Sequence, residues 1–290
     1  MKKILVTGAS GQLGQCLRSQ LQNPTDISCY FATKEDLDIT NNEAVKSFFS
    51  EHNFDYCINT AAYTNVEKAE SEQKMAFLVN AEGAHNIAKA CNEHNVVLLH
   101  ISTDYVFDGT KKTPYQEKDP TNPLNVYGAS KLKGEQYIST SCSKHFIIRI
   151  SWLYSLYGHN FLNSMLQFAT QKKALTITTQ QKGTPTNAND VAQILITIIK
   201  TGSTRYGVYH FSNQGEGTWY DFARAIFKAT GEIDSVNLAK TKHYPTFAKR
   251  PNYSVLNCNK AQVTFNNKCS HWEDSLKDLI QKTNGAKSHL

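Results

Sequence analysis

The stretch KILVTGASGQLG (3–14) decides how the rest of the chain is read. A β-branched apolar run meets Gly8, Gly11 and Gly14, spaced G-x-x-G-x-x-G, and Leu13, Leu17 and Leu21 then recur every four residues. The pattern is a strand, a tight turn and an amphipathic helix. In a dinucleotide site each glycine has a separate task. The first allows the turn, the second lets backbone approach a pyrophosphate, and the third lets the helix pack closely. The helix start then presents free N–H groups and its positive dipole end to the anion. A turn needs no ligand to contain glycines. The position of this one, between an N-terminal strand and a helix, favours a cofactor role for Gly8, Gly11, Gln12, Leu13 and Gly14.

Further along, SCYFAT (28–33), DYCINT (55–60), VVLLHIST (96–103) and HFIIRIS (145–151) read as strands. Between them lie helical segments at 41–52, capped by Asn41 or Asn42, at 73–94 and at 125–141. Strands alternating with helices imply parallel βαβ units with right-handed crossovers. The nearly continuous apolar runs suit strands covered on both faces. Beyond residue 151 the spacing predicts helices at 161–171 and 188–200. A strand, GVYHFS (207–212), returns to the main sheet, and helix TWYDFARAIFKATG (218–231) closes on Gly231. The last 50 residues give weak signals. The expected division is a dinucleotide-binding unit at 1–150 with a return near 186–212, and a smaller lobe formed by 151–185 and 213–290.

Composition narrows the function classes. The 290 residues are 40% hydrophobic and 19% charged, an ordinary balance for a soluble globular protein. No apolar run is long enough to span a membrane, and MKKILVTGAS holds too short an apolar segment for a signal-peptide core. The seven cysteines are scattered, odd in number and without C-x-x-C. Neither a disulfide framework nor a zinc site is expected, and reduced thiols point to the cytoplasm. The ten histidines form no metal-binding pattern. A net charge of +6, with bases and acids interspersed, suits an anionic small ligand better than nucleic acid. The pair Lys172–Lys173 reads as solvated surface.

YGASK (127–131) places a phenol and an amine four residues apart, one above the other on a helix. A free tyrosine ionises near about 10, and a neighbouring cation lowers that value. Tyr127 would then hand its proton to a carbonyl oxygen as hydride arrives, while Lys131 holds the nicotinamide ribose. The bland alternative is an exposed Tyr and Lys on a surface helix. A third partner is expected where HISTDYVFDG (100–109) leaves its strand, with Thr103 or Ser102 donating to the substrate carbonyl. At the end of the second strand, Thr33 and Lys34 stand where an NAD-selecting acid is usual; Lys34 either meets a 2′-phosphate or is solvated. Asp38 either faces the cofactor or caps a turn before the next helix. Ala61, Ala62 and Tyr63 follow the third strand, where small side chains let a cofactor lie across the sheet edge.

The glycine turn and YGASK, about 120 residues apart, resemble the extended short-chain dehydrogenase/reductase family. STDYVFDG (102–109), PLNVYGASKLKGE (123–135), IRISWLY (148–154), GTPT (183–186), TWYDFA (218–223) and KRPNYSVLN (249–257) are similar to dTDP-4-dehydrorhamnose reductases, in the expected order through nearly the whole chain. The resemblance implies a Rossmann-type doubly wound parallel α/β sheet with a smaller C-terminal substrate-binding lobe. It implies reduction of the C4 ketone of dTDP-4-dehydro-L-rhamnose to dTDP-L-rhamnose, with NADPH or NADH. It also implies that Tyr127, Lys131 and Thr103 are catalytic and that Asp38 and Ile39 hold the adenine. Thr103 and Asp104 would contact the sugar, with Trp152 packing against it. A diphosphate needs a cation, and Lys249 and Arg250 are candidates, the alternative being surface charge.

Some family members join subunits through a metal held by acidic residues. The nearby positions here are the neutral Gln15, Cys16 and Asn189, with Asp190 shifted by one. No metal is expected, and a homodimer stays open. A nucleotide-sugar 4,6-dehydratase would want a glutamate after Asp104, where Tyr105 stands. Another nucleotide-sugar reductase or epimerase, and a dinucleotide-binding regulator resembling that of methionine adenosyltransferase, are the remaining rivals.

Overall fold

Alternation along the first strand decides how the sheet is covered. In β1 (Lys2–Thr7), Ile4 and Val6 enter one apolar cluster and Leu5 enters another, on opposite faces. The same split separates Ile58 from Cys57 in β3 (Tyr56–Asn59), and Leu99 from Leu98 in β4 (Val97–Thr103). The sheet is therefore buried on both sides. The computed structural model describes residues 1–22, 26–171 and 174–287. The Lys172–Lys173 pair lies outside them.

Six parallel strands run in the order β10-β5-β4-β3-β1-β2, with β2 at Ile27–Ala32, β5 at His145–Ile150 and β10 at Gly207–Phe211. The chain steps from β1 outward to β2, then crosses back to β3 on the other side of β1. That reversal is the switch point where open α/β sheets bind ligands. The elements at 2–7, 27–32, 56–59, 97–103 and 145–150 follow the strands expected from the sequence, and the return of 207–211 to the edge beside β5 is as expected.

The helices sort to the two faces. α1 (Gln12–Gln20) lies on the side of Ile4 and Val6, and α2 (Asn42–Glu51) on the side of Leu5. Asn41 caps α2, its side chain accepting from Ala44 N at 3.1 Å. The segment expected as one helix at 73–94 has a different interior. After the short α3 (Val66–Ala69), α4 (Gln73–Phe77) widens into a π turn at Leu78–Gly83 before α5 (Ala84–Glu93). The wide turn sets Asn80 so that its side chain grips Tyr63 N and O at 2.8 and 3.0 Å and Ser130 Oγ at 2.9 Å. It thereby ties the end of β3 to α6 (Val126–Ser141), which covers the same face as α5.

Beyond β5, the chain forms β6 (Leu153–Tyr154), α7 (Phe161–Thr170), β7 (Leu175–Thr178), β8 (Lys182–Gly183), β9 (Thr186–Asn187) and α8 (Ala188–Thr201). After β10 come β11 (Gly217–Thr218), α9 (Trp219–Thr230), β12 (Leu238–Thr241), α10 (Asn259–Phe265) and α11 (Trp272–Lys287). The short strands pair as β6 with β9, β7 with β12 and β8 with β11. α8 packs under α1 on the main sheet, and α10 joins the same cluster through Ala261 and Phe265. A separate core gathers Tyr154, Leu162, Met165, Phe222, Phe227 and Trp272. α9 opens with a Thr218/Asp221 capping box and ends on Gly231 at φ 77°, the left-handed cap the sequence suggested. Among the described residues, no helix is long and apolar enough to cross a membrane.

Candidate active site

The carboxyl ends of β1, β3 and β4 open into a cleft of about 1480 Å³, closed on its far side by α7, β7 and the loop before Arg250. A single drug-sized ligand occupies roughly 300–1000 Å³, so the cleft has room for two. Gly8, Gly11, Gln12, Leu13, Asp38, Ile39, Ala61, Ala62, Tyr63, Thr103, Asp104, Tyr127, Lys131, Trp152 and Arg250 all line it. Two expected residues do not: Gly14, which lies behind the turn, and Lys249, which is exposed elsewhere.

The glycine turn forms one end. Gly8 has φ 67°, and a Cβ there would lie 2.6 Å from Ala61 N, so only glycine lets β1 and the loop after β3 approach. Gly11 donates its N–H to Gly8 O at 2.9 Å and caps α1 without any side-chain oxygen. The first N–H groups of α1 are thus left to a ligand. At Gly14 a Cβ would lie 2.7 Å from Ala9 Cα, so its task is packing. A cradle that a methyl group would fill, at a helix start with no side-chain cap, fits a dinucleotide pyrophosphate. Asp38 does both things the sequence allowed. Its Oδ1 accepts from Thr40 N and Oγ1 at 2.9 and 2.7 Å, and the residue also lines the cleft. Lys34 stands on the same wall.

Asn125 caps α6, accepting from Gly128 N at 2.8 Å, and aims Tyr127 and Lys131 into the cleft. Lys131 is buried, with Nζ donating to Ile101 O at 2.6 Å and lying 3.4 Å from His100 Nε2. Burial pulls its pKa down to about 8, against the pull of Glu135 one turn on. The phenol departs from expectation. Tyr127 is pushed up to about 12, first by burial and then by the Asp104 charge, while the Thr103 hydroxyl works the other way. The lysine head is moored to β4, and burial governs the phenol. Neither residue matches the exposed alternative.

Thr103 and Ser102 are separated by what they bind. Ser102 donates to Glu135 Oε1 at 2.5 Å, and Glu135 in turn holds Arg149 at 2.7 Å, both buried. Thr103 remains beside Tyr127, donating to Asp104 Oδ1 at 3.0 Å and accepting from Tyr105 N at 3.2 Å. Asp104 is buried with Oδ2 lacking any hydrogen-bond partner. Burial lifts its pKa to about 6, although Ser254, Thr103 and Ser151 favour the charged form.

Opposite these residues, Trp152 (φ 43°) stacks on Trp219 with ring centroids 3.7 Å apart and planes within 7°. Trp219 Nε1 donates to Gln181 Oε1 at 2.9 Å. Sequence reasoning missed Trp219 as a site residue. Its signal was an aromatic at the first position of a capped helix, which usually reads as core. Arg250 faces the cleft and donates to Glu67 Oε1 at 2.7 Å, its Nε unpaired. Of the two expected anion partners, only Arg250 is placed for the task; Lys249 supplies its carbonyl to Asn125.

Gln15 donates to Ser10 O, Cys16 is buried, and Asp190 Oδ2 accepts from Asn213 Nδ2 and Ser275 Oγ, both at 2.6 Å. Asp190 is therefore committed to internal partners. Among the described residues, no three His, Cys, Asp or Glu cluster tightly enough to hold a metal, and all seven cysteines are free thiols.

Residues 1–284 match the family model for the RmlD substrate binding domain. The chain belongs to that family. It is 41% identical to the dTDP-4-dehydrorhamnose reductase of Aggregatibacter actinomycetemcomitans, across 96% of this chain and 98% of that protein. The crystal structure of a dTDP-4-dehydrorhamnose reductase from Clostridium acetobutylicum superposes with a TM-score of 0.92 at 38% identity, covering 97% of this chain and 99% of that one. The Bacillus anthracis reductase in complex with NADP gives a TM-score of 0.93 at 36% identity, covering 97% and 100%. The family thus shares the doubly wound sheet described above along its full length.

Proposed function

We propose that this chain reduces the C4 ketone of dTDP-4-dehydro-L-rhamnose to dTDP-L-rhamnose, using NADPH or NADH, in the synthesis of dTDP-rhamnose for cell-surface polysaccharide. The observation that carries this reading is the cleft itself: a glycine turn at one end, Tyr127 with Thr103 and Lys131 at its floor, and space for two ligands. The relatives named above carry the same activity in their names.

Gly8, Gly11, Gln12 and Leu13 would hold the cofactor pyrophosphate, Asp38 and Ile39 the adenine end, and Ala61, Ala62 and Tyr63 the span between. When bound, the nicotinamide supplies hydride to C4. Tyr127 Oη supplies the proton to the sugar oxygen, and Thr103 orients that oxygen by donating to it. A phenol held at about 12 keeps its proton at neutral pH, the form a reductase needs before each turnover. Lys131 holds the ribose and offsets the charge left on the phenolate. Asp104 Oδ2 accepts from a sugar hydroxyl, the Trp152–Trp219 stack provides a flat apolar wall, and Arg250 meets the diphosphate.

Residues 1–150, with the return near 186–212, form the dinucleotide-binding unit in this reading; 151–185 and 213–290 contribute the substrate lobe. Seven free thiols suit the reducing cytoplasm. The absence of a glutamate after Asp104 disfavours dehydration.

The deciding experiment follows NADPH absorbance as dTDP-4-dehydro-L-rhamnose is added. Consumption by the native chain, lost in Tyr127→Phe, supports the reductase. Tight cofactor binding with no turnover on any keto-sugar overturns it in favour of a regulatory role.

A further inference from the structure

Three polar side chains cross the sheet at one level. Thr7, Asn59 and His100 are register partners on β1, β3 and β4. Each continues the alternation of Leu5, Cys57 and Leu98, so all three project to the face that α5 and α6 cover. All are buried. Buried polar groups require partners, and these satisfy one another. Thr7 Oγ1 donates to Asn59 Oδ1 at 2.7 Å, Asn59 Nδ2 lies 3.1 Å from His100 Nδ1, and His100 Nε2 lies 3.4 Å from Lys131 Nζ. The row begins beside the glycine turn and ends on the amine beneath Tyr127.

One end sets the direction of the whole row. Ala61 N donates to Asn59 Oδ1 at 3.2 Å, and a backbone N–H can only donate. The amide oxygen is therefore on that side, and Asn59 presents its NH₂ to His100. His100 Nδ1 must accept. Burial and the Lys131 charge hold the imidazole neutral, well below its ordinary pKa. Its single proton is then on Nε2, aimed at Lys131 Nζ. An ammonium has no lone pair to receive that N–H, whereas a neutral amine has one.

We infer that His100 is a positioning residue for Lys131: its Nε2–H donates to the lone pair of the neutral amine and so helps set the pH at which Lys131 loses its charge. This rests on the reading of Tyr127 as the proton donor and Lys131 as the cation that offsets its phenolate. The Tyr127 O–H bond breaks as the proton passes to the sugar oxygen, and it re-forms with a proton from solvent when product leaves. His100 keeps its own proton throughout. Two groups facing Lys131 oppose each other. Glu135, one turn along α6, favours the ammonium but is shared with Arg149 of β5 and Ser102 of β4. His100 approaches Lys131 from β4 on the other side, while the Ile101 carbonyl, accepting from Nζ, sides with the ammonium; His145 of β5 also faces His100. Asp104 acts on Tyr127 from the far side.

The test has two readouts. Nitrogen-15 NMR of the imidazoles in the full chain is expected to show His100 neutral with its proton on Nε2; a proton on Nδ1 overturns the inference. This readout needs no turnover, so it separates the inference from the reductase reading, which fails only if the native chain does not reduce the keto-sugar. The second readout is the pH profile of kcat. Losing a hydrogen bond to the neutral amine raises the lysine limb by about 0.7 pH units in His100→Phe, while His100→Gln, which still offers an N–H, keeps the native limb. If denaturation shows that His100→Phe does not fold, Asn59→Asp replaces it. A carboxylate there draws the proton to Nδ1, makes Nε2 an acceptor and raises the limb. A limb unmoved in the folded variant overturns the role of His100 in setting the charge of Lys131, whatever the native tautomer.

Discussion

Lys131 Nζ donates to the carbonyl oxygen of Ile101 at 2.6 Å, on the strand beneath it, rather than to the phenol four residues earlier. Helical spacing put Tyr127 and Lys131 on one face, but the face leans on β4, and the longer side chain found a backbone acceptor there. Burial of both groups then leaves a tyrosine that keeps its proton and a lysine that loses its proton more easily than usual.

That division of labour separates two variants. On the proposed mechanism Tyr127→Phe removes only the donated proton, and it is expected to lower kcat by roughly 10²- to 10⁴-fold, with NADPH affinity within about threefold of native. On the proposed reading Lys131 also holds the ribose, so Lys131→Met is expected to lower both kcat and cofactor affinity. It also strands the Ile101 carbonyl and the His100 ring, at a cost of about 1–3 kcal/mol in folding. Steady-state rates, cofactor fluorescence titration and urea unfolding read the three quantities.

The glycine turn makes a second contrast. Gly8 sits at positive φ against Ala61 N, so Gly8→Ala strains the backbone and is expected to cost about 1–3 kcal/mol in unfolding free energy. Gly11 has φ −72°, and its Cβ would meet only Gly8 O at 3.2 Å. Gly11→Val is therefore expected to fold with a loss below about 1 kcal/mol, yet to bind NADPH at least tenfold more weakly because the side chain stands in the pyrophosphate cradle. Denaturation and cofactor titration on both variants check this; unchanged cofactor affinity in Gly11→Val would remove the pyrophosphate from the turn.

What the sequence made legible has a common property: the signal was local. Gly8, Gly11 and Gly14 span seven residues, Tyr127 and Lys131 one helical turn, and Thr103 ends an apolar strand. What it hid depends on distant partners. Trp219 matters because Trp152, from another segment, lies flat on it. Asn59 and His100 read as polar ends of apolar strands until register sets them side by side. Lys249 and Arg250 are neighbours in sequence, and only packing shows which one turns inward. The π turn at 78–83 retains helical periodicity, and strands of two residues are too short to alternate.

Beneath α6, the Glu135–Arg149 pair is buried and bidentate, with Arg149 Nε and Nη2 reaching the carboxylate at 2.9 and 2.7 Å. Removing one partner leaves an uncompensated charge in the interior. Arg149→Met is expected to cost about 3–5 kcal/mol, and the double variant Glu135→Leu/Arg149→Met less than that single change, because no buried charge remains. Urea unfolding of the variants supplies the comparison, and additive losses would show that the pair is not acting as a unit.

Asp104 carries the last prediction, because its burial gives it opposite effects on stability and on binding. Its folded pKa is raised from 3.8 to about 6, chiefly by desolvation. An acid whose folded value is raised holds its proton more tightly in the native chain. Stability is then greatest below the unfolded value, falls as pH climbs from about 4 to about 6, and stays reduced above it. Two units correspond to about 3 kcal/mol. Asp104→Asn has no charge to bury, so it is expected to be more stable than native by up to about 3 kcal/mol at pH 8, with most of that gain gone at pH 4.5. Binding runs the other way. On the proposed reading the unpartnered Oδ2 accepts from a sugar hydroxyl, and its replacement by an amide NH₂ turns an acceptor into a donor, which is expected to raise KM for the keto-sugar at least tenfold. Guanidinium unfolding at the two pH values and saturation kinetics at pH 8 test both halves. A stability gain that is the same at both pH values would mean that something other than the buried charge sets the cost of Asp104.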